Sequence, residues 1–195
     1  MTSTELAQHA AEYLSKTTCY LKGTWGQKLT AAVYQDKLRQ YPDNSKYNNE
    51  KYVGTDVYPF DCVCFVKSLI ANPAGTVDHR ITYKELCAGP LGDCTTEKFY
   101  NSLYDCCAPM EGKAGYGLAT QGHAAICLGN GQWLDVNYSG SQNGLALHNG
   151  FSGTNFKCGK IPGIAYENPE PVVDEVREFL AFTANYLYDL WRNKL

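Results

Sequence analysis

A cysteine and a histidine stand in the two segments of this sequence best suited to making and breaking bonds. Cys62 sits at the mouth of the apolar run FDCVCFVKSLI, residues 60–70, and His123 opens GHAAICLGNGQWLDVN, residues 122–137. A helix N-terminus carries partial positive charge and unpaired N–H groups. It therefore favours thiolate at Cys62 and offers a donor to a developing oxyanion. A histidine within reach of such a thiol completes the outline of a nucleophile with its base.

The elements that must position this pair follow from local pattern. Asp61 is suited to cap a helix that carries Phe65, Val66, Leu69 and Ile70 on one buried face and stops at Asn72-Pro73. After Gly122 the alternation of His123, Ala125 and Cys127 against Ala124, Ile126 and Leu128, with turn residues at Gly129-Asn130-Gly131, predicts a β-hairpin returning through Trp133 to Asn137. A two-residue turn would pair Ile126 with Asp135. A three-residue loop with Gly131 left-handed in a bulge pairs Ile126 with Leu134 and Ala124 with Val136, which leaves one continuous apolar face. The second register is expected. It puts His123, Asp135 and Asn137 on the other face, Asn137 directly across from the histidine and Asp135 diagonal to it.

With these segments in view, the chain resembles the NlpC-like cysteine peptidases, papain-fold enzymes that cut peptidoglycan stem peptides. FDCVCFVK is similar to their nucleophile helix and GHAAICLGNG to their histidine strand. Tyr20-Leu21-Lys22-Gly23 is similar to their Tyr-x-x-Gly segment, and Asp93-Cys94-Thr95-Thr96, leading into a short helix through Phe99, Tyr100 and Leu103 to Cys106, to an insertion of phage-type members. Gly144-Leu145-Ala146-Leu147 and Gly159 to Tyr166 resemble the closing strands. The match runs from Leu6 to Tyr166, and four motifs in order are more specific than any one. It departs at Cys64, where the family usually has glycine, and at the third position, where an acidic residue resembles the phage-type branch.

The resemblance implies an α+β, papain-like domain with a small antiparallel sheet on the nucleophile helix. It implies Cys62 as nucleophile, His123 as base and Asp135 as the residue that orients it, with Tyr20, Trp133 and Asn137 on the substrate side. It further implies no cofactor and, as partner, the bacterial peptidoglycan stem peptide. The sugar-to-peptide amide, acyl transfer on the same scaffold, and a silent wall-binding or assembly protein remain open beside it.

Composition narrows the field. A net charge of −3 without a basic run argues against nucleic acid. Nine cysteines and four histidines show no zinc spacing, since Cys106 and Cys107 are adjacent and Cys87 and Cys94 widely separated. Free thiols made in a reducing cytoplasm are expected. Met1 to Lys16 lacks the pattern of a secretion signal and places Leu6, Ala10, Tyr13 and Leu14 at helical spacing, and no stretch is long enough to span a bilayer. The expectation is a protein made in a bacterial host cytoplasm that acts on the wall after release.

Residues 1–166 are expected to form the enzyme domain, with a loop-rich stretch around Pro42 to Ser45 and Asn48-Asn49. Residues 167–195 are expected to form a linker, Asn168-Pro169-Glu170-Pro171, and an amphipathic helix. Val172, Val176, Phe179, Leu180, Leu187 and Trp191 mark one face of that helix, suited to self-association or to packing on the domain. Because all four motifs precede the linker, deletion of residues 172–195 should alter solubility, assembly or target affinity more than turnover of small soluble stem peptides. Comparing the two chains by sedimentation and by peptide hydrolysis tests this.

Overall fold

The structure, a computed structural model, describes residues 1–72 and 75–167. Pro73, the linker and the C-terminal amphipathic helix lie outside the described residues. One unit closes over Met1–Ala165, whose ends meet where the Ser3 amide donates to the Ala165 carbonyl (2.9 Å).

The fold is α+β with a small antiparallel sheet. Six strands, β3 (Tyr104–Cys107), β4 (Gly117–Ala119), β5 (Ala124–Gly129), β6 (Gln132–Ser139), β7 (Gln142–Asn149) and β8 (Lys157–Lys160), lie in the order β3-β8-β4-β5-β6-β7 with every pairing antiparallel. Two short parallel strands, β1 (Thr18–Tyr20) and β2 (Tyr58–Phe60), form a second sheet. Helices α1 (Ser3–Glu12) and α3 (Cys62–Ala71) pack against β5 and β6. Ala124, Ile126, Leu134 and Val136 are fully buried, as one continuous apolar face requires.

Helix α3 forms where its caps predict. The Asp61 carboxylate accepts from the Cys64 amide (2.7 Å) at the start, and Asn72 ends the helix. Phe65, Val66 and Leu69 are fully buried, whereas Ile70 is partly exposed. In α1, Leu6, Ala10 and Tyr13 face inward but Leu14 is exposed, because the chain tightens into a 3₁₀ turn over Tyr13–Ser15.

Two expectations are corrected. The stretch before β2 holds helix α2 (Ala31–Gln40), capped by Thr30, and two 3₁₀ segments, Pro42–Tyr47 and Asn49–Tyr52, in place of loop. The helix of the insertion, α5 (Thr96–Ser102), ends before Cys106, which lies in β3 because the chain there pairs with β8. A further short helix, α4 (Tyr83–Ala88), precedes it.

The hairpin has the expected pairing, reached differently. Ile126 pairs with Leu134, but the turn is the two-residue Asn130-Gly131, both with positive φ (53° and 74°), which suits a primed hairpin turn. The extra residue sits on β5, where pairing jumps from Cys127↔Trp133 to Gly129↔Gln132. That bulge restores the register a two-residue turn alone would have shifted.

β1 is seated on β7 through a glycine. Gly144 has φ 121°, and a Cβ there would stand 2.6 Å from the Thr18 carbonyl oxygen, while the Thr18 hydroxyl accepts from the Leu145 amide (2.8 Å). Gly144→Ala should destabilise the fold by about 2 kcal/mol, since backbone strain and a main-chain clash add at one position. Denaturant unfolding of the two chains measures this.

Candidate active site

Cys62 is the first residue of α3 and is 5% exposed. The Asp61 carboxylate beside it fixes two elements at once, accepting from the Cys64 amide with Oδ1 and from the Gly23 amide (2.9 Å) with Oδ2. Gly23 has φ 76°, and a Cβ there would meet the Tyr41 ring at 2.4 Å. The Tyr20 to Gly23 turn is thereby tied to the head of α3.

Tyr20 is held from both sides. Its amide donates to Asn143 Oδ1 (2.8 Å), its carbonyl accepts from Asn49 Nδ2 (2.7 Å), and its ring meets Tyr47 edge-on (centroids 5.0 Å apart). Asn49 is fully buried and receives the Asn143 amide group (2.9 Å), so the two side chains are satisfied by each other and by the backbone of Tyr20 and Tyr47. Burial, then proximity to Cys62, pushes the Tyr20 hydroxyl above its ordinary range.

His123 stands one residue ahead of β5. Its Nε2 bonds Asp135 Oδ2 at 2.7 Å, and Cys62 is near enough to raise the ring's pKa, with Nδ1 the ring nitrogen not engaged by Asp135. Asp135 is 4% exposed in its side chain. Asn137 Nδ2 donates to both its oxygens (2.8 and 2.9 Å), and His148 Nε2 bonds its Oδ1 at 2.9 Å. Asp135 therefore orients His123, and Asn137 supports Asp135 in place of contacting the imidazole.

His148 escaped the sequence reading. It lies on β7 opposite Trp133, whose ring stacks on it (centroids 3.8 Å apart, planes at 12°). The available signal was the even spacing Gly144, Ala146, His148, which puts His148 on the face of Asp135 once β7 is paired with β6. Trp133, expected on the substrate side, lines neither cavity of the site. It is buried with Leu118, Ala125, Cys127 and Cys158, because its large ring fills the space beneath β5 and β6.

Two cavities meet at Tyr20. One, about 740 Å³, contains Cys62 with Lys22, Lys37, Lys67, Trp25 and Tyr83 among its walls; the other, about 440 Å³, contains His123 with Asn137, Tyr47 and Tyr138. All nine cysteines are free. Among the described residues, no group of three or more His, Cys, Asp or Glu side chains is arranged to hold a metal, and no helix is long and apolar enough to cross a membrane.

Electrostatics follow from the geometry. Burial alone would lower the His123 ring, but the hydrogen bonds and charges of Asp135 and Cys62 raise it from 6.5 to about 10. Burial would raise the Asp135 carboxyl, but His123, Asn137 and His148 hold it below 3.8. With a raised folded-state value, His123 stabilises the fold fully below pH 6.5 and loses that contribution as pH rises through about 10. With a lowered one, Asp135 contributes above pH 3.8 and loses it as pH falls through its depressed folded value. Both contributions are complete between pH 3.8 and 6.5.

No family model, curated protein or solved structure compared with this chain matches it.

Two variants separate the roles around Asp135. Asp135→Ala should lower the His123 ring pKa far more than Asn137→Ala, since only the first removes the carboxylate, and histidine-ring NMR titration reads it. His148→Ala should move the acid-unfolding midpoint to higher pH, because one of the groups that hold Asp135 ionised is lost.

Proposed function

We propose that this chain is a cysteine peptidase of NlpC-like, papain-type fold that cleaves an amide bond of the bacterial peptidoglycan stem peptide. The observation that carries the reading is the 2.7 Å bond from His123 to the buried Asp135, with Cys62 at the head of α3 and near enough to raise the imidazole's pKa. A charged imidazole beside a thiol at a helix start is the electrostatic setting of reactive cysteines.

In this reading Cys62 passes its proton to His123 and attacks the carbonyl carbon as the thiolate. The oxyanion is received by the free N–H at the start of α3, with the Tyr20 hydroxyl beside it as a second donor. His123 gives its Nδ1 proton to the departing amine, the C–N bond breaks, and a thioester remains on Cys62. Water then attacks the thioester as His123 takes its proton, the acid departs, and the sulfur is released. Asp135 acts through His123 as a positioning residue, fixing which nitrogen faces the sulfur. His123 protonates the amine, so the leaving side of the bond lies toward the cavity of Tyr47 and Tyr138 and the acyl side toward the larger cavity. A lysis enzyme made in the host cytoplasm and released to the wall fits this chemistry.

Cell walls digested with the protein and analysed by mass spectrometry should yield fragments with new amino termini inside the stem peptide. New lactyl-alanine ends would instead identify an amidase, and no fragments would refute hydrolysis. Cys62→Ala and His123→Ala should each reduce cleavage to near background in a folded protein, because the two act as one unit. Iodoacetamide should modify Cys62 ahead of the other eight cysteines.

A further inference from the structure

Lys67 lies on α3 five residues beyond Cys62, with its side chain only 2% exposed. A lysine so buried is uncommon, and its ammonium costs stability unless it is paired and hydrogen-bonded. Its ion partner is Asp93, at 3.7 Å and thus beyond hydrogen-bonding distance, on a side chain 77% exposed. Asp61, the other carboxylate nearby, already uses both oxygens on the amides of Cys64 and Gly23. Among the described residues Lys67 therefore has no acceptor at hydrogen-bond length, and it lines the cavity that contains Cys62.

The surroundings repeat the charge. Lys22 and Lys37 line the same cavity, with Lys37 Nζ 5.9 Å from the centre of the Trp25 ring, and Trp25 and Tyr83 form an aromatic wall (centroids 5.1 Å apart). At about 740 Å³ the space has the size of a small-ligand site. Lys22 bonds Asp43 (3.3 Å) and Lys37 bonds Gln40 (2.8 Å), so of the three lysines that line the cavity Lys67 is the one without an acceptor at hydrogen-bond length among the described residues.

We propose that this cavity is an anion-binding subsite in which Lys67 receives a carboxylate carried on the acyl part of the substrate. The proposal rests on the reading of Cys62 as nucleophile and deepens it by assigning a charge to the acyl side. An incoming carboxylate supplies the acceptor that Lys67 lacks and displaces the exposed Asp93 from its long contact. Neutral acyl groups leave the ammonium unsatisfied, and the site discriminates against them.

Two alkylating reagents test this without a peptide substrate. Iodoacetate and iodoacetamide share a leaving group and differ by one carboxylate, so their relative rates at Cys62 of the full chain report an anion site directly. Lys67→Met should lower the iodoacetate-to-iodoacetamide ratio about tenfold at an unchanged iodoacetamide rate, and Lys67→Arg should retain the ratio. Asp93→Asn, an exposed change that removes the competing carboxylate, should raise it. A ratio in Lys67→Met equal to that of the unaltered chain, with normal iodoacetamide reactivity, overturns the anion site and leaves the nucleophile standing. If Lys67→Met does not fold, a ratio unchanged or lowered in Asp93→Asn overturns it. Inertness of Cys62 to both reagents in the folded, unaltered chain overturns the nucleophile reading and this proposal together.

Discussion

The arrangement depends on one buried carboxylate. Asp135 sits in the middle of β6 at 4% exposure, where an unpaired negative charge would cost several kcal/mol. It is retained because three side chains donate to it, His123 from the entry to β5, Asn137 from β6 itself and His148 from β7. The backbone makes room for this. Opposite Asp135 on β7 is Ala146, and opposite Asn137 is Gly144, so that face is left to the polar groups. The two histidines reach Asp135 from opposite diagonals, and three consecutive strands are bound through one residue.

A second carboxylate does for the helix what Asp135 does for the sheet. Asp61 caps α3 and holds the Gly23 amide, so Cys62 and the Tyr20 turn are placed by one side chain. Burial raises the Asp61 carboxyl, and the amides of Cys64 and Gly23, with Lys67 behind them, draw it back. Tyr20 is braced from the other end by Asn49 and Asn143, the latter one residue before the glycine that seats β1 on β7. The helix and the hairpin are therefore located against each other by two sets of hydrogen bonds that share no residue.

How much of this was legible follows from how local each signal is. The cap at Asp61 and most of the apolar face of α3 are written within a few residues and form where expected, while the turn falls at the expected residues as a two-residue turn in place of the three-residue loop. Ile126 and Leu134 pair as the apolar pattern demands even though the bulge moves from the turn onto β5, because burial of one face constrains register more tightly than turn geometry does. His148 was hidden because its role requires β7 to be placed beside β6 first. Trp133 was misplaced because an aromatic residue in a motif looks the same whether it lines a cavity or fills a core. Helix α2 was hidden by weak patterning, with Tyr34 its one buried residue. The strand at Cys106 exists through pairing with β8, more than fifty residues on, which no local preference encodes.

The two cavities divide the site by charge as well as by position. Tyr20 lines both, so a chain passing from one to the other crosses the Cys62–His123 pair at the tyrosine. On the His123 side the walls are mainly aromatic and amide, with Lys46 drawn toward the Tyr47 ring (5.3 Å from its centre). On the Cys62 side the helix that begins with Cys62 also supplies Lys67. A cation five residues from the sulfur on the same rigid element keeps its place relative to that sulfur when loops around it shift, as groups built on helices do. The cap at Asp61, the sulfur at Cys62 and the ammonium at Lys67 are then successive parts of one helix, and a single α-helical geometry sets the spacing of all three.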